Sequence, residues 1–268
     1  MIRDITIGQY YPADSILHKL DPRVKIFGTL VYIVSLFLFQ SWGYLLGTAV
    51  LISLILLSKV PFGYMVRGLK AIWILLIITV VLNLFLTSGG HVFWEWKIFH
   101  ITEQGIRTAF KTAIRLVYLI LGASLMTLTT TPTKLTDGLE RALSPLKKIH
   151  VPIHEIAMMM SIALRFIPIL MEETDKIMKA QTARGADFET GGLMKKIRAL
   201  VPLLVPLFVS AFRRAGDLAQ AMEARCYHGG EGRTQMHPLV YRSRDRIAYL
   251  IILIYLAAVI LMRVFALA

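Results

Sequence analysis

A single cysteine, Cys226, occurs in the 268 residues, which excludes an internal disulfide framework and any cysteine-based metal cluster. Acidic residues are also scarce: 17 Asp and Glu stand against 30 Lys and Arg, giving a formal charge of +13. No G-x-x-x-x-G-K-[ST] phosphate loop is present, so ATP hydrolysis by that route is excluded. His154-Glu155 begins an H-E-x-x-H pattern, but Met158 stands where the second histidine belongs, which argues against a metalloprotease. The N-terminus, "MIRDITIGQYYPADSILHKLDPR", is polar and broken by prolines where a signal peptide needs an apolar stretch, so the mature chain is expected to begin at Met1.

Apolar residues are abundant instead. Hydrophobic content is 56%, charged content 18% and mean hydropathy +0.62, well above the roughly 45–50% apolar content of soluble domains. The composition is that of a membrane protein. Its excess of Lys and Arg is explained by cationic flanks that hold topology, so the expected environment is a lipid bilayer and no nucleic-acid partner.

Apolar runs cover residues 24–40 and 42–58, expected as a hairpin turned at Gln40-Ser41-Trp42-Gly43, then 71–87, 112–131 with Arg115 near its start, and 246–268. About five transmembrane helices are expected, in an all-α membrane protein. None of the runs contains Asp or Glu, which argues against a proton or sodium relay. The basic residues favour a cytoplasmic N-terminus, with 132–245 on the same side and residues 88–108, including Trp94 and Trp96, as an extracytoplasmic loop. Arg115 is then expected to snorkel outward, or the helix to start later.

Between Thr131 and Arg246 the pattern changes. "TPTKLTDGLERALSPLKKI" reads as an amphipathic surface helix with Thr133 as its cap behind Pro132. The next segment starts apolar, meets Arg165 and Pro168 and finishes charged at "AQTARGA"; its uncharged run is too short for a span, and Pro168 is expected to kink it. A third segment, apolar over 199–212, continues to "AMEARCY". Pro168 and Pro206, Asp175 and Asp217, and Arg184 and Arg225 recur in the same order, as in remote internal copies. Ala211, Ala215 and Ala219 share one helical face, which suits close crossing of the two long helices. Ala-Arg at a helix end is often only favourable capping, with Gly185 natural after a helix. Two such tips can also present cationic forks to two separate grooves.

The paired Ala-Arg motifs, the string "GQYYPADSILHKLDPRVKI", and the order of about four spans, a long helical region and a final span resemble the transmembrane (T) subunits of energy-coupling factor (ECF) vitamin transporters. The resemblance covers essentially the whole chain. It implies a cytoplasmic N-terminal segment (1–23), a four-helix transmembrane region (24–131), a cytoplasmic region of long crossed coupling helices (132–245) and a C-terminal transmembrane helix (246–268). It implies a non-catalytic subunit of a multi-pass cell-membrane importer with two ABC-type ATPases and one substrate-binding (S) membrane subunit as partners. ATP and Mg would be bound by the ATPases and no cofactor by this chain. Arg184 and Arg225 become the ATPase-docking arginines, flanked by Ala183, Gly185, Ala224 and Cys226; Cys226 stands where the family usually has glycine. Met158, Met159, Met160, Leu203 and Leu207 become candidate contacts to the substrate-binding subunit, methionine being an adaptable surface. The N-terminal string looks most like that of modules shared among several such subunits.

Two other readings are an intramembrane enzyme using His150, His154 or His228 with nearby acids, and a self-contained carrier in which Asn83 lines a pathway.

Overall fold

The computed structural model describes residues 10–39, 43–87, 89, 92–96, 99–186, 188, 192–229, 236 and 238–265. Gln40, Ser41 and Trp42 of the expected first turn lie outside them. Among the described residues the order is α1 (Pro22–Leu38), α2 (Gly43–Ser58), α3 (Phe62–Leu86), β1 (Val92–Trp96), β2 (Phe99–Thr102), α4 (Glu103–Thr129), α5 (Pro132–Leu143), a short 3-10 helix (Ser144–Ile149), α6 (Ile153–Ala183), α7 (Leu193–Glu223) and α8 (Ser243–Phe265). One compact unit comprises Met1–Ala142 with Leu239–Ala268, and a second comprises Leu143–Pro238.

Local chemistry sets the helix starts of the first unit. The Asp21 carboxylate accepts the Arg23 N–H at 2.9 Å with Pro22 at the first helical position, an arrangement that satisfies a free donor at the start of α1. Thr102 does the same for α4, accepting from the Gly105 N–H at 3.0 Å. This cap starts α4 at Glu103, earlier than the apolar run suggests, and within the expected loop at 88–108 the described strands β1 and β2 pair antiparallel. At α5 the capping hydroxyl belongs to Thr131, which accepts from the Lys134 N–H at 3.4 Å, and not to Thr133. Pro132 occupies the first helical position, so the residue before it faces the free N–H groups.

The core of this unit is built on Leu36, Met65, Leu121, Leu125, Leu128 and Tyr32. Helices approach closely where side chains are small: a Cβ on Gly122 would come within 2.7 Å of the Tyr32 ring, so α1 and α4 meet only because this position has none. Arg115 is half-buried: its guanidinium donates to the Tyr44 hydroxyl at 3.2 Å and lies 5.3 Å from the centre of the Phe37 ring, two residues that flank the expected first turn.

One end of the bundle is polar. Asp245, only 1% exposed, accepts from the N–H groups of Asp21 at 2.9 Å and Arg242 at 2.8 Å. Lys25 Nζ donates to the Thr129 carbonyl at 2.8 Å, a cation at the negative end of α4. Gly138 of α5 lies against Pro22 and Ile26. The starts of α1 and α8, the end of α4 and the body of α5 therefore converge.

By length and composition three helices can cross a membrane, Glu103–Thr129, Ile153–Ala183 and Ser243–Val264, or four if the bent pair Phe62–Lys70 and Ile72–Leu86 is one span. The helical class is as the sequence indicates; the count is three to four among the described residues, against about five expected. Pro22–Leu38 and Gly43–Ser58, at 17 and 16 residues, are short for the purpose. Ile153–Ala183 is long and apolar enough to qualify, although its uncharged run looked too short.

A candidate docking site on the two long helices

In the second unit α6 continues through Pro168, and α7 through Pro202 and Pro206, each as one helix. Pro206 has no N–H to give to the carbonyl four residues earlier, which is that of Pro202. That carbonyl accepts instead from Gln181 Nε2 on α6 at 3.3 Å. Further along, Arg214 Nη2 of α7 donates to Glu173 Oε2 of α6 at 3.2 Å. Ile162, Phe166 and Leu170 face Ala211, Ala215 and Leu218 across an open groove of about 130 Å³, which Arg214 also lines. These pairs read backwards along α6 as they advance along α7, so the two helices run in opposite directions. Ala211, half-buried, and Ala215, exposed, line this groove; Ala219, expected on the same face, is exposed and does not line it.

The two tripeptides end these helices in the same way. After α6, Gly185 is left-handed at φ 89°, its N–H bonds the Thr182 carbonyl at 2.9 Å, and the Ala186 N–H bonds the Gln181 carbonyl at 3.0 Å. After α7, Cys226 is left-handed at φ 57°, its N–H bonds the Glu223 carbonyl at 2.9 Å, and the Tyr227 N–H bonds the Met222 carbonyl at 3.1 Å. Both are Schellman closures in the same register, with the arginine as the last residue before the left-handed one. Cys226 therefore takes the conformation for which glycine is the usual choice. Ala183, Arg184 and Gly185, and likewise Ala224, Arg225 and Cys226, are all exposed.

The apolar candidates are more scattered. Met159 and Met160 are exposed, Met158 is half-buried, Leu207 is half-buried, and Leu203 is buried at 6% exposure. On α7 the outward apolar face is carried by Val205, Phe208, Val209 and Phe212, which the sequence reading named only as part of a general surface. It also passed over Glu173 and Arg214. Their separation of 41 residues equals that between Arg184 and Arg225, which was the available signal.

Residues of the two other readings are elsewhere. The Asn83 amide donates to the Thr79 carbonyl of its own helix at 2.8 Å. His150 ends the 3-10 helix, His154 lies in the first turn of α6, and His228 follows α7. Among the described residues no group of three or more His, Cys, Asp or Glu is arranged to hold a metal ion.

A family model described as CbiQ, cobalt transport protein, matches residues 13–237. Proteins called "Energy-coupling factor transporter transmembrane protein EcfT" match along nearly their whole lengths: that of Clostridium kluyveri is 57% identical over 266 residues, 98% of each chain. That of Acidaminococcus fermentans is 53% identical over 256 residues, 94% of each chain, and that of Bacillus subtilis 47% identical over 261 residues, 97% of this chain and 98% of its own. With matches of this extent the chain belongs to the EcfT family, the non-catalytic transmembrane coupling subunits of energy-coupling factor importers.

Proposed function

We propose that Arg184 and Arg225 each dock into one of two ABC-type ATPases, and that α6 and α7 carry the resulting displacement to a separate substrate-binding membrane subunit in the uptake of vitamins or related micronutrients. ATP and Mg belong to the ATPases in this reading. The N-terminal segment (1–23) and the region 132–245 face the cytoplasm, with 24–131 and 246–268 as the membrane-spanning parts. The observation that carries the proposal is the matched closure of α6 and α7, which presents two exposed arginines on equivalent backbone. A guanidinium keeps its charge at any physiological pH and donates in a planar fork, so it suits a groove lined by carboxylates or helix-end carbonyls. Each such charge-assisted contact contributes roughly 1.5–3 kcal/mol. Ala183, Gly185, Ala224 and Cys226 keep the approach to each arginine small. Contact with the substrate-binding subunit falls to Met158, Met159 and Met160, with Leu207 beside the outward face of α7 and Leu203 packing beneath it.

The test is copurification from the native host in mild detergent. Wild type is expected to bring down ATPases and one or more small membrane proteins, and the Arg184→Glu/Arg225→Glu variant to lose the ATPases alone. Retention of the ATPases by the variant, with transport intact, would refute the docking role.

A further inference from the structure

The turn from α2 into α3 is cationic. Lys59, Arg67 and Lys70 are all exposed, the chain has no Asp or Glu between Asp21 and Glu95, and among the described residues no carboxylate is paired with any of the three. Asp14, which feels the charge of Lys59, is held by Lys19 at 2.6 Å. Lys59 is left-handed at φ 55°, a conformation that glycine adopts without strain. The turn therefore carries its cation at a conformational cost.

The first turns of α3 bury one side and leave the other free. Met65 is fully buried, and a Cβ on Gly68 would come within 2.9 Å of Ser124 Oγ on α4. On the outer side Phe62, Val66, Lys70 and Trp73 fall at helical spacing in one stripe, with Phe62 and Trp73 each 59% exposed. Helical side chains lean toward the N-terminus of their helix, which directs the charges of Arg67 and Lys70 toward the turn at Lys59. Arg67 follows this rule, its guanidinium carbon lying 4.7 Å from the centre of the Tyr64 ring one turn earlier. From Trp73 to Leu86, by contrast, every exposed residue is apolar. Hydrocarbon-facing surface thus gives way to cations within one turn, as at the level of lipid headgroups.

We propose that Lys59, Arg67 and Lys70 hold the phosphate of an anionic phospholipid whose acyl chains lie along Trp73 and Ile77. Phe62 and Val66 then sit among the headgroups beside the cations. The proposal rests on the membrane-spanning reading of 24–131 and not on ATPase docking.

The experiment uses Trp73 as its reporter. Trp42→Phe, Trp94→Phe and Trp96→Phe leave it the sole tryptophan of the full chain, which is reconstituted in vesicles of phosphatidylcholine and phosphatidylglycerol with one of the two brominated on its acyl chains. Each cation near an anionic surface contributes about fivefold in affinity. Quenching of Trp73 should therefore show phosphatidylglycerol preferred by at least about fivefold at low salt, and by less as ionic strength rises. Lys59→Gln/Arg67→Gln/Lys70→Gln should abolish the preference, while Arg67→Lys alone keeps it. Equal quenching by the two lipids in the reporter chain, or a preference that survives the triple substitution, would overturn the proposal. So would loss of all lipid quenching on assembly with a substrate-binding subunit, which would assign the face to a protein. Absence of quenching by either lipid would refute the membrane-spanning reading of α3, and the lipid site with it.

Discussion

Replacing Gly185 by alanine and Cys226 by glycine should move the two helix ends in opposite directions. No atom lies within 4 Å of where a Cβ on Gly185 would stand, so alanine meets no neighbour there and its whole cost is the left-handed backbone at φ 89°. That cost is about 1–2 kcal/mol. It bears on the closure that pairs the Gly185 and Ala186 N–H groups with Thr182 and Gln181. Gly185→Ala should therefore speed exchange of these amides about tenfold. Cys226→Gly relieves similar strain at φ 57°, but the greater freedom of glycine in the open chain takes back roughly 0.5–1 kcal/mol. Its amide and that of Tyr227 should exchange about twofold more slowly. Hydrogen exchange followed by mass spectrometry on the intact complex reads both ends in one experiment. Because the arginine precedes the left-handed residue in each motif, Gly185→Ala should also weaken retention of the ATPases while Cys226→Gly preserves it. If Gly185→Ala exchanges as slowly as wild type, or Cys226→Gly frays α7, the left-handed residue is not what fixes the arginine.

Gly122→Ala puts a methyl against the Tyr32 ring and should lower stability by about 1–3 kcal/mol, seen as a lower Tm in detergent. Asp245→Ala removes an acceptor from two buried N–H groups; a loss of about 3 kcal/mol is expected, with Asp245→Asn intermediate. Burial pushes the His18 imidazole below its usual 6.5, so the folded state prefers the neutral ring. Its contribution is complete above pH 6.5 and is lost as pH falls below that value; His18→Gln should flatten this part of a Tm-against-pH curve. Reversing one partner of the Glu173–Arg214 pair should destabilise the α6–α7 contact, and the double exchange, Glu173→Arg with Arg214→Glu, should restore it by about 0.5–1 kcal/mol in a double-mutant cycle.

Much of this was legible because the signals are local. Asp21-Pro22 announces a helix start from two residues, and the apolar runs announce helices from composition. Ala-Arg-Gly likewise contains its own closure, since the glycine supplies the left-handed turn. Ala-Arg-Cys does not, and its equivalence shows only in the backbone of Cys226. The partners of Arg115 were not legible for the opposite reason: Tyr44 and Phe37 lie on other helices and no spacing within α4 reveals them. Leu203 reads as part of an apolar surface, yet packing alone decides which face of an apolar helix is buried. The Gln181 contact to the Pro202 carbonyl sits between these cases, since the proline that frees the acceptor is visible in sequence and the donor is not.

The spacing of the charged pair bears on how a displacement travels. Glu173 precedes Arg184 by eleven residues, and Arg214 precedes Arg225 by eleven, so the ion pair lies about 16 Å along each helix from its arginine. Since α7 runs back along α6, the two tips lie on opposite sides of that contact, as much as about 33 Å apart. A force on either tip therefore acts through an arm of equal length about the same point. Beside that point Ala211 and Ala215 line an open groove opposite Ile162, Phe166 and Leu170, so α7 presents little side-chain bulk to α6 there. If the two tips dock as proposed, equal arms would convert equal displacements of the tips into a rotation of one helix against the other.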